Sequence, residues 1–194
     1  MSGFIRRGEG VMVTFSGFEA DLLRSLASQL VELLRNEEAE PKSHADPLEA
    51  LLDFSGPTTE PDDPVLARLF PTAYPDDEEA AGEFRRFTEG TLRDGKARNA
   101  SLVIDRLEES GLPDELDEDG LWIDVELDAG QAQAWLRSFT DIRLALATRL
   151  GVEEGDEDYW HSLPDDDPRT HVHDIYEWVG YLQETLVAAV TRDV

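Results

Sequence analysis

The chain contains no cysteine, and that absence alone closes several chemistries. Disulfides, thiolate nucleophiles, cysteine-based zinc sites and a thiol redox switch are all excluded within it. Long apolar runs are missing too. None approaches the roughly 20 residues that a membrane-spanning helix needs, and no signal-like start is visible, so the expected compartment is cytoplasmic and no membrane partner is indicated. Basic residues are scarce: 17 Lys and Arg stand against 44 Asp and Glu, for a formal net charge of −27. A field of that sign repels phosphate backbones, so direct nucleic-acid binding is not expected. It suits a basic protein partner, or simply high solubility. The common catalytic signatures are absent as well. There is no phosphate loop, no G-x-G-x-x-G, no G-x-S-x-G and no H-E-x-x-H, so no cofactor is indicated.

What is present reads as helices around a little sheet. At 194 residues the chain fits a single domain over 1–194, with polar or acidic loops at 36–46 and 111–120. "GFIRRGEGVMVTF" alternates apolar and polar residues around Gly8 and Gly10, and reads as a hairpin. "LWIDVELD" alternates likewise and supplies a strand near 121–127. Between them, "SGFEADLLRSLASQLVELLR" opens with Ser16 and Glu19 at capping-box spacing. Phe18, Leu22, Leu26, Leu30 and Leu33, with Leu23 and Leu34 beside them, form its apolar face. Asp46-Pro47, Asp63-Pro64 and Asp167-Pro168 each read as a helix start, the Asp capping free amides and the Pro taking the first position.

A longer helix is expected over 77–109, with Gly90 and Gly95 as a point of weakness and a kink. Its stretch from Phe84 to Leu107 holds six basic against three acidic residues and is the one basic segment. Arg85, Arg86 and Arg93 are therefore candidates for a partner face, although internal neutralisation of an acidic protein is the favoured reading. Asp128 begins another long helix, ended by Gly151, with Trp135, Phe139, Ile142, Leu146 and Leu150 as its stripe. The final helix, "IYEWVGYLQETLVAAV", is apolar nearly all round and belongs at a bundle centre or an interface. It and the Trp135–Leu150 stripe could also support a homodimer. The fold class is mainly α, a helical bundle with a small antiparallel β element.

"WHSLPDDDPRTHVHD" (160–174) gathers His161, His171 and His173 among four aspartates, the nearest approach to a metal or acid–base site. On a strand, His171 and His173 would face the same way. On a helix begun at Asp167-Pro168 they point about 200° apart and cannot share an ion. If the helix begins later, Asp174 and Glu177 have capping-box spacing and both histidines sit in the lead-in. A metal-dependent enzyme built on these residues stays a minor alternative. Tyr159 and Trp160, flanked by acids, are candidates for an exposed aromatic anchor on a partner.

Five blocks, in order, carry a resemblance: "FEADLLRSLASQLVELL", "DDPVLARLFPTAYPDD", "FRRFTEGTLRDGKARNASLVIDRL", "VELDAGQAQAWLRSFTDIRLALATRLGV" and "IYEWVGYLQETLVAAV". The most specific parts are "AWLRSFTDIRLALATRLG" and the pattern made by Tyr176, Trp178, Leu182, Gln183 and Glu184. Together they resemble a family of small actinobacterial proteins, the AosR oxidative-stress regulator family, long described as a domain of unknown function. The resemblance implies a regulatory, non-catalytic protein of the transcriptional stress response. It would act through protein contact, with a sigma factor as the implied partner; an accessory role in Clp proteolysis is the alternative. No catalytic or ligand residues come with it, and the missing cysteines put thiol sensing out of reach of this chain.

Overall fold

The alternation near the N-terminus closes a hairpin. In the computed structural model, which describes residues 2–36, 57–116 and 120–191, β1 (Ile5–Arg7) pairs antiparallel with β2 (Gly10–Ser16). β3 (Trp122–Leu127) adds to the far side of β2, setting Val13 opposite Val125 and Phe15 opposite Ile123. One face of the sheet (Val11, Val13, Phe15, Ile123, Val125 and Leu127) is buried, while Trp122, Asp124 and Glu126 point outward. Gly10 is required where it stands: a Cβ there would lie 2.5 Å from the Leu127 carbonyl oxygen.

Six helices surround this sheet among the described residues: α1 (Gly17–Asn36), α2 (Pro64–Leu69), α3 (Glu78–Glu109), α4 (Ala129–Leu150), α5 (Glu157–His161) and α6 (Pro168–Thr191). Local chemistry fixes most of their ends. The Ser16 amide donates to Glu19 Oε2 at 2.9 Å, and the Glu19 amide returns a bond to Ser16 Oγ at 3.3 Å. Asp63 Oδ1 accepts the Val65 amide at 2.7 Å, with Pro64 as the first helical residue of α2. Asp128 and Gln131 form the reciprocal box of α4, and Gly151 ends that helix with φ at 74°. The expected start at Asp46-Pro47 and the linker after Asn36 fall outside the described residues.

The core gathers where α1, α4 and α6 meet the sheet. Trp135 and Phe139 of α4 are fully buried, and the Phe4 ring sits edge-on to both, at 6.0 and 6.3 Å. Two expectations about faces are corrected. α1 buries Ala20, Leu23, Ala27, Leu30 and Leu34, whereas Phe18, placed in the apolar stripe, is 69% exposed. The alanines let α1 lie close to its neighbours and so turn the helix away from Phe18. α6 is not central: it buries Val179, Leu182, Leu186 and Ala189 against the core and leaves Tyr181 and Val187 exposed. Its start is settled as Pro168, where Asp167 Oδ1 accepts the Arg169 amide at 2.9 Å.

α3 runs through Gly90 and Gly95 as a single helix, and its polarity is reversed over its first half. Arg85, Glu89 and Arg93 are buried, while Phe84, Phe87 and Leu92 are exposed. Glu89 accepts from Arg85 Nη1 at 2.9 Å and from Arg93 Nη2 at 2.7 Å. Both arginines also reach main-chain carbonyls at 3.0 Å: the same Arg85 Nη1 donates to Phe70 O, and the other arm of Arg93, Nη1, donates to Leu34 O. Arg93 also lies over the Phe70 ring, 4.9 Å from its centroid. One turn on, Lys96 donates to the buried Asp141 of α4 at 2.6 Å. Burial pushes the Asp141 carboxyl above its ordinary value, and Lys96 opposes that rise.

Removing Glu89 strands two buried guanidiniums, so Glu89→Ala is expected to cost about 3–5 kcal/mol. Urea unfolding should show a lower midpoint with an unchanged slope. A second expectation concerns the start of α6. Arg169 holds the Asp167 carboxyl at about 2, below the ordinary 3.8, by side-chain and backbone hydrogen bonds. The folded value is the depressed one, so this contact helps folding above pH 3.8 and that help is lost as pH falls towards 2. A carboxyl NMR titration should find the Asp167 midpoint near 2, and Arg169→Ala should return it towards 3.8.

Candidate functional site

The stretch 160–174 folds over the junction of α4 and α6 and forms one wall of a cleft of about 460 Å³. Its construction starts at Asp156, just before α5. That carboxylate accepts the Glu153 amide and the Trp160 indole N–H, both at 2.8 Å. The Glu153 amide, the Trp160 indole and the charge of His173 hold Asp156 below the usual carboxylate range. Trp160 is thereby turned inward, and it is 5% exposed. His173, one turn into α6, stacks on it with ring centroids 4.9 Å apart and planes 5° from parallel. Tyr176 follows His173 at 5.8 Å, and the Arg143 guanidinium of α4 lies 5.0 Å over the Tyr176 ring.

Arg143 is the least obvious part of the row. It donates to Gln183 Oε1 at 3.1 Å and makes a longer contact of 3.4 Å to the Tyr176 hydroxyl, with no carboxylate partner among the described residues. Gly180 makes room for it: a Cβ there would lie 3.2 Å from the guanidinium carbon. At the other end, Tyr159 meets Trp160 edge-on at 5.2 Å and accepts a 2.8 Å bond from Arg169. Aromatic rings and guanidiniums thus run from Arg143 through Tyr176, His173, Trp160 and Tyr159 to Arg169. Exposed carboxylates of Glu153, Glu154, Glu157 and Glu177 rim the cleft. It can accept a cationic side chain at the rim and an apolar or planar group against the rings.

The sequence-level candidates separate here. His161 and His173 line the cleft, but His161 Nδ1 is engaged with the Glu157 carbonyl at 2.7 Å. His171 is exposed and does not line it. Among the described residues no three His, Asp or Glu side chains converge as a metal ion would need. No hydroxyl of a described serine or threonine is hydrogen-bonded to a histidine. Tyr159 and Trp160 do not form an exposed pair: Tyr159 is 47% exposed, whereas Trp160 is floor rather than anchor, because Asp156 draws its indole inward. Arg85 and Arg93 are not a partner face either, since their charges are spent on Glu89 and on carbonyls inside the fold. Arg86 alone of the three is exposed, beside Phe87. Sequence reasoning missed Arg143 as a site residue. Its only signal was a lone cation in the apolar stretch "DIRLALA", and its partners lie 33 and 40 residues away.

Among the described residues no helix is long and apolar enough to cross a membrane. The profile of the family described as domain of unknown function DUF2017 matches residues 1–190. A Mycobacterium leprae protein provisionally named oxidative stress regulator AosR is 31% identical over 186 residues, covering 89% of this chain and 78% of its own length. The oxidative stress regulator AosR of Mycobacterium tuberculosis strain H37Rv is 29% identical over 197 residues, covering 94% and 83%, and the Mycobacterium bovis AosR matches equally. No solved structure matches. The chain belongs to the DUF2017 family, that of the mycobacterial AosR oxidative stress regulators.

Proposed function

We propose that this protein is a non-catalytic regulator of the oxidative stress response that works by binding another protein. The cleft receives a basic segment of that partner, and a protein of the transcription machinery, a sigma factor first, is the partner expected. The observation that carries this reading is the cleft itself, a fixed aromatic floor under a rim of exposed glutamates. Its ring-and-guanidinium row is locked by packing before any ligand arrives, as a recognition surface requires. The names of the relatives support a regulatory role in stress. The net charge of −27 favours fast encounter with a basic surface.

The test is affinity capture from the native cell, followed by titration of the recovered partner, or of purified sigma factor, against two forms of the chain. Glu153, Glu154 and Glu157 are exposed, so replacing all three with lysine should leave the circular dichroism unchanged. Affinity should drop by about tenfold or more, chiefly through a slower and less salt-dependent association. A partner that binds the charge-reversed form equally well would place its contact elsewhere, and failure to recover any specific protein would end the reading.

A further inference from the structure

The reversed first half of α3 leaves two phenylalanines exposed among the described residues. At 100° per residue, Phe84, Phe87, Thr91 and Arg98 fall within about 60° of arc, opposite the buried Glu89. Phe84 is 44% exposed and Phe87 58%, with Tyr74 edge-on to Phe84 at 5.8 Å. Gly90 and Gly95 sit in the same helix with nothing within 4 Å of where a Cβ would be. Neither has a positive φ and neither is crowded by a described residue, and each weakens the helix relative to alanine. An aromatic knob and an open glycine on one side of a helix, here Phe87 and Gly95 eight residues apart, suit two closely approaching helices.

We propose that two copies of this chain pack α3 against α3, antiparallel, about a twofold axis at Thr91. In that arrangement the strip faces itself with a knob set over an open position. Reversing the helix about Thr91 sets Phe87 over the other copy's Gly95 and Phe84 beside its Arg98. Glu83, next to Phe84, then approaches that same arginine, which has no ion-pair partner within its own chain among the described residues. Charge selects the occupant as well. On a molecule of −27 most surfaces repel a copy, whereas between Phe84 and Arg98 the exposed charges are Arg86, Asp94 and Arg98. A basic partner is drawn to the rim of the cleft; a second acidic copy meets little repulsion here. The pairing stands apart from the cleft, which α4, α5 and α6 form.

Sedimentation equilibrium of the full chain at micromolar concentration should show a dimer. Phe87→Glu should raise its dissociation constant by about tenfold or more while melting temperature and circular dichroism of the protomer hold. Gly95→Leu fills space that is open in one copy, so it should leave the protomer folded and still weaken the dimer. Because the chain has no cysteine, Thr91→Cys places a single thiol at the axis, and it should cross-link to its own copy far faster than Ser28→Cys on α1. A chain that is monomeric under these conditions overturns the proposal. So does a dimer indifferent to both substitutions, or equal cross-linking from the two thiols. A monomer destabilised by Phe87→Glu would show that the chain covers this strip with its own residues, which also overturns it.

Discussion

The contact on which the rest of the structure leans is the bridge of Glu89 between Arg85 and Arg93. A helix ends with carbonyls that have no partner in the next turn. The two arginines satisfy such groups at two places at once, Leu34 O near the end of α1 and Phe70 O at the end of α2. Three elements far apart in sequence are therefore joined by one charged cluster. Glu89 makes the junction tolerable, since a buried guanidinium without a carboxylate would cost more than its hydrogen bonds return. Lys96 and Asp141 extend the same logic to α4. The buried charges do little for stability compared with apolar replacements of like shape; they fix which face of α3 turns inward. With the charges inside, Phe84 and Phe87 have no place there and are left outward.

α4 is held on both flanks, and that accounts for the cleft. Against the sheet it buries Trp135 and Phe139; towards α6 it presents Arg143 to Tyr176 and Gly180. Gly180 matters because a methyl group would crowd the guanidinium off the tyrosine ring. Gln183 then joins Arg143 to Thr140, accepting from the one and donating to the other at 2.7 Å. The short α5 hangs on this frame by Trp160, whose position depends on Asp156. The cleft is a shaped surface. It has rings, cations and a carboxylate rim.

The helix ends were legible because they depend on neighbours in sequence. Ser16 with Glu19, Asp63 with Pro64, Asp128 with Gln131 and the turn at Gly151 all close within four residues. The strand at 122–127 followed from its alternation for the same reason. What could not be read is which side of a helix the tertiary structure would choose. In α1 the stripe through Phe18 and Leu22 was as regular as the one through Leu23 and Leu30, and only the tight seat at Ala20 and Ala27 decides between them. In α3, Arg85, Glu89 and Arg93 look like any exposed i, i+4 series, and nothing local reveals the two distant carbonyls. The histidine-rich stretch was legible as a helix entry at Pro168. Its stacking of His173 on Trp160 needed the fold, since those residues lie thirteen apart across a loop.

The absence of cysteine constrains how such a molecule takes part in an oxidative stress response. Within these 194 residues sulfur is limited to two methionines, and Met12 faces outward on the sheet, its sulfur in contact with Arg7. Met12 does not line the cleft. An oxidant therefore has no thiol here through which to open or close the proposed recognition surface. On the proposed reading, the redox signal resides in the partner, or in how much of either protein is made, and this chain supplies a fixed shape to be occupied or left empty. The cleft's Asp156 and, at α6's start, Asp167 both have carboxyls held below their ordinary values, so both stay ionised throughout the neutral range. On that reading, a regulator with no thiol at its recognition surface is controlled by mass action between partners, which makes the concentration of its binding face the quantity that matters.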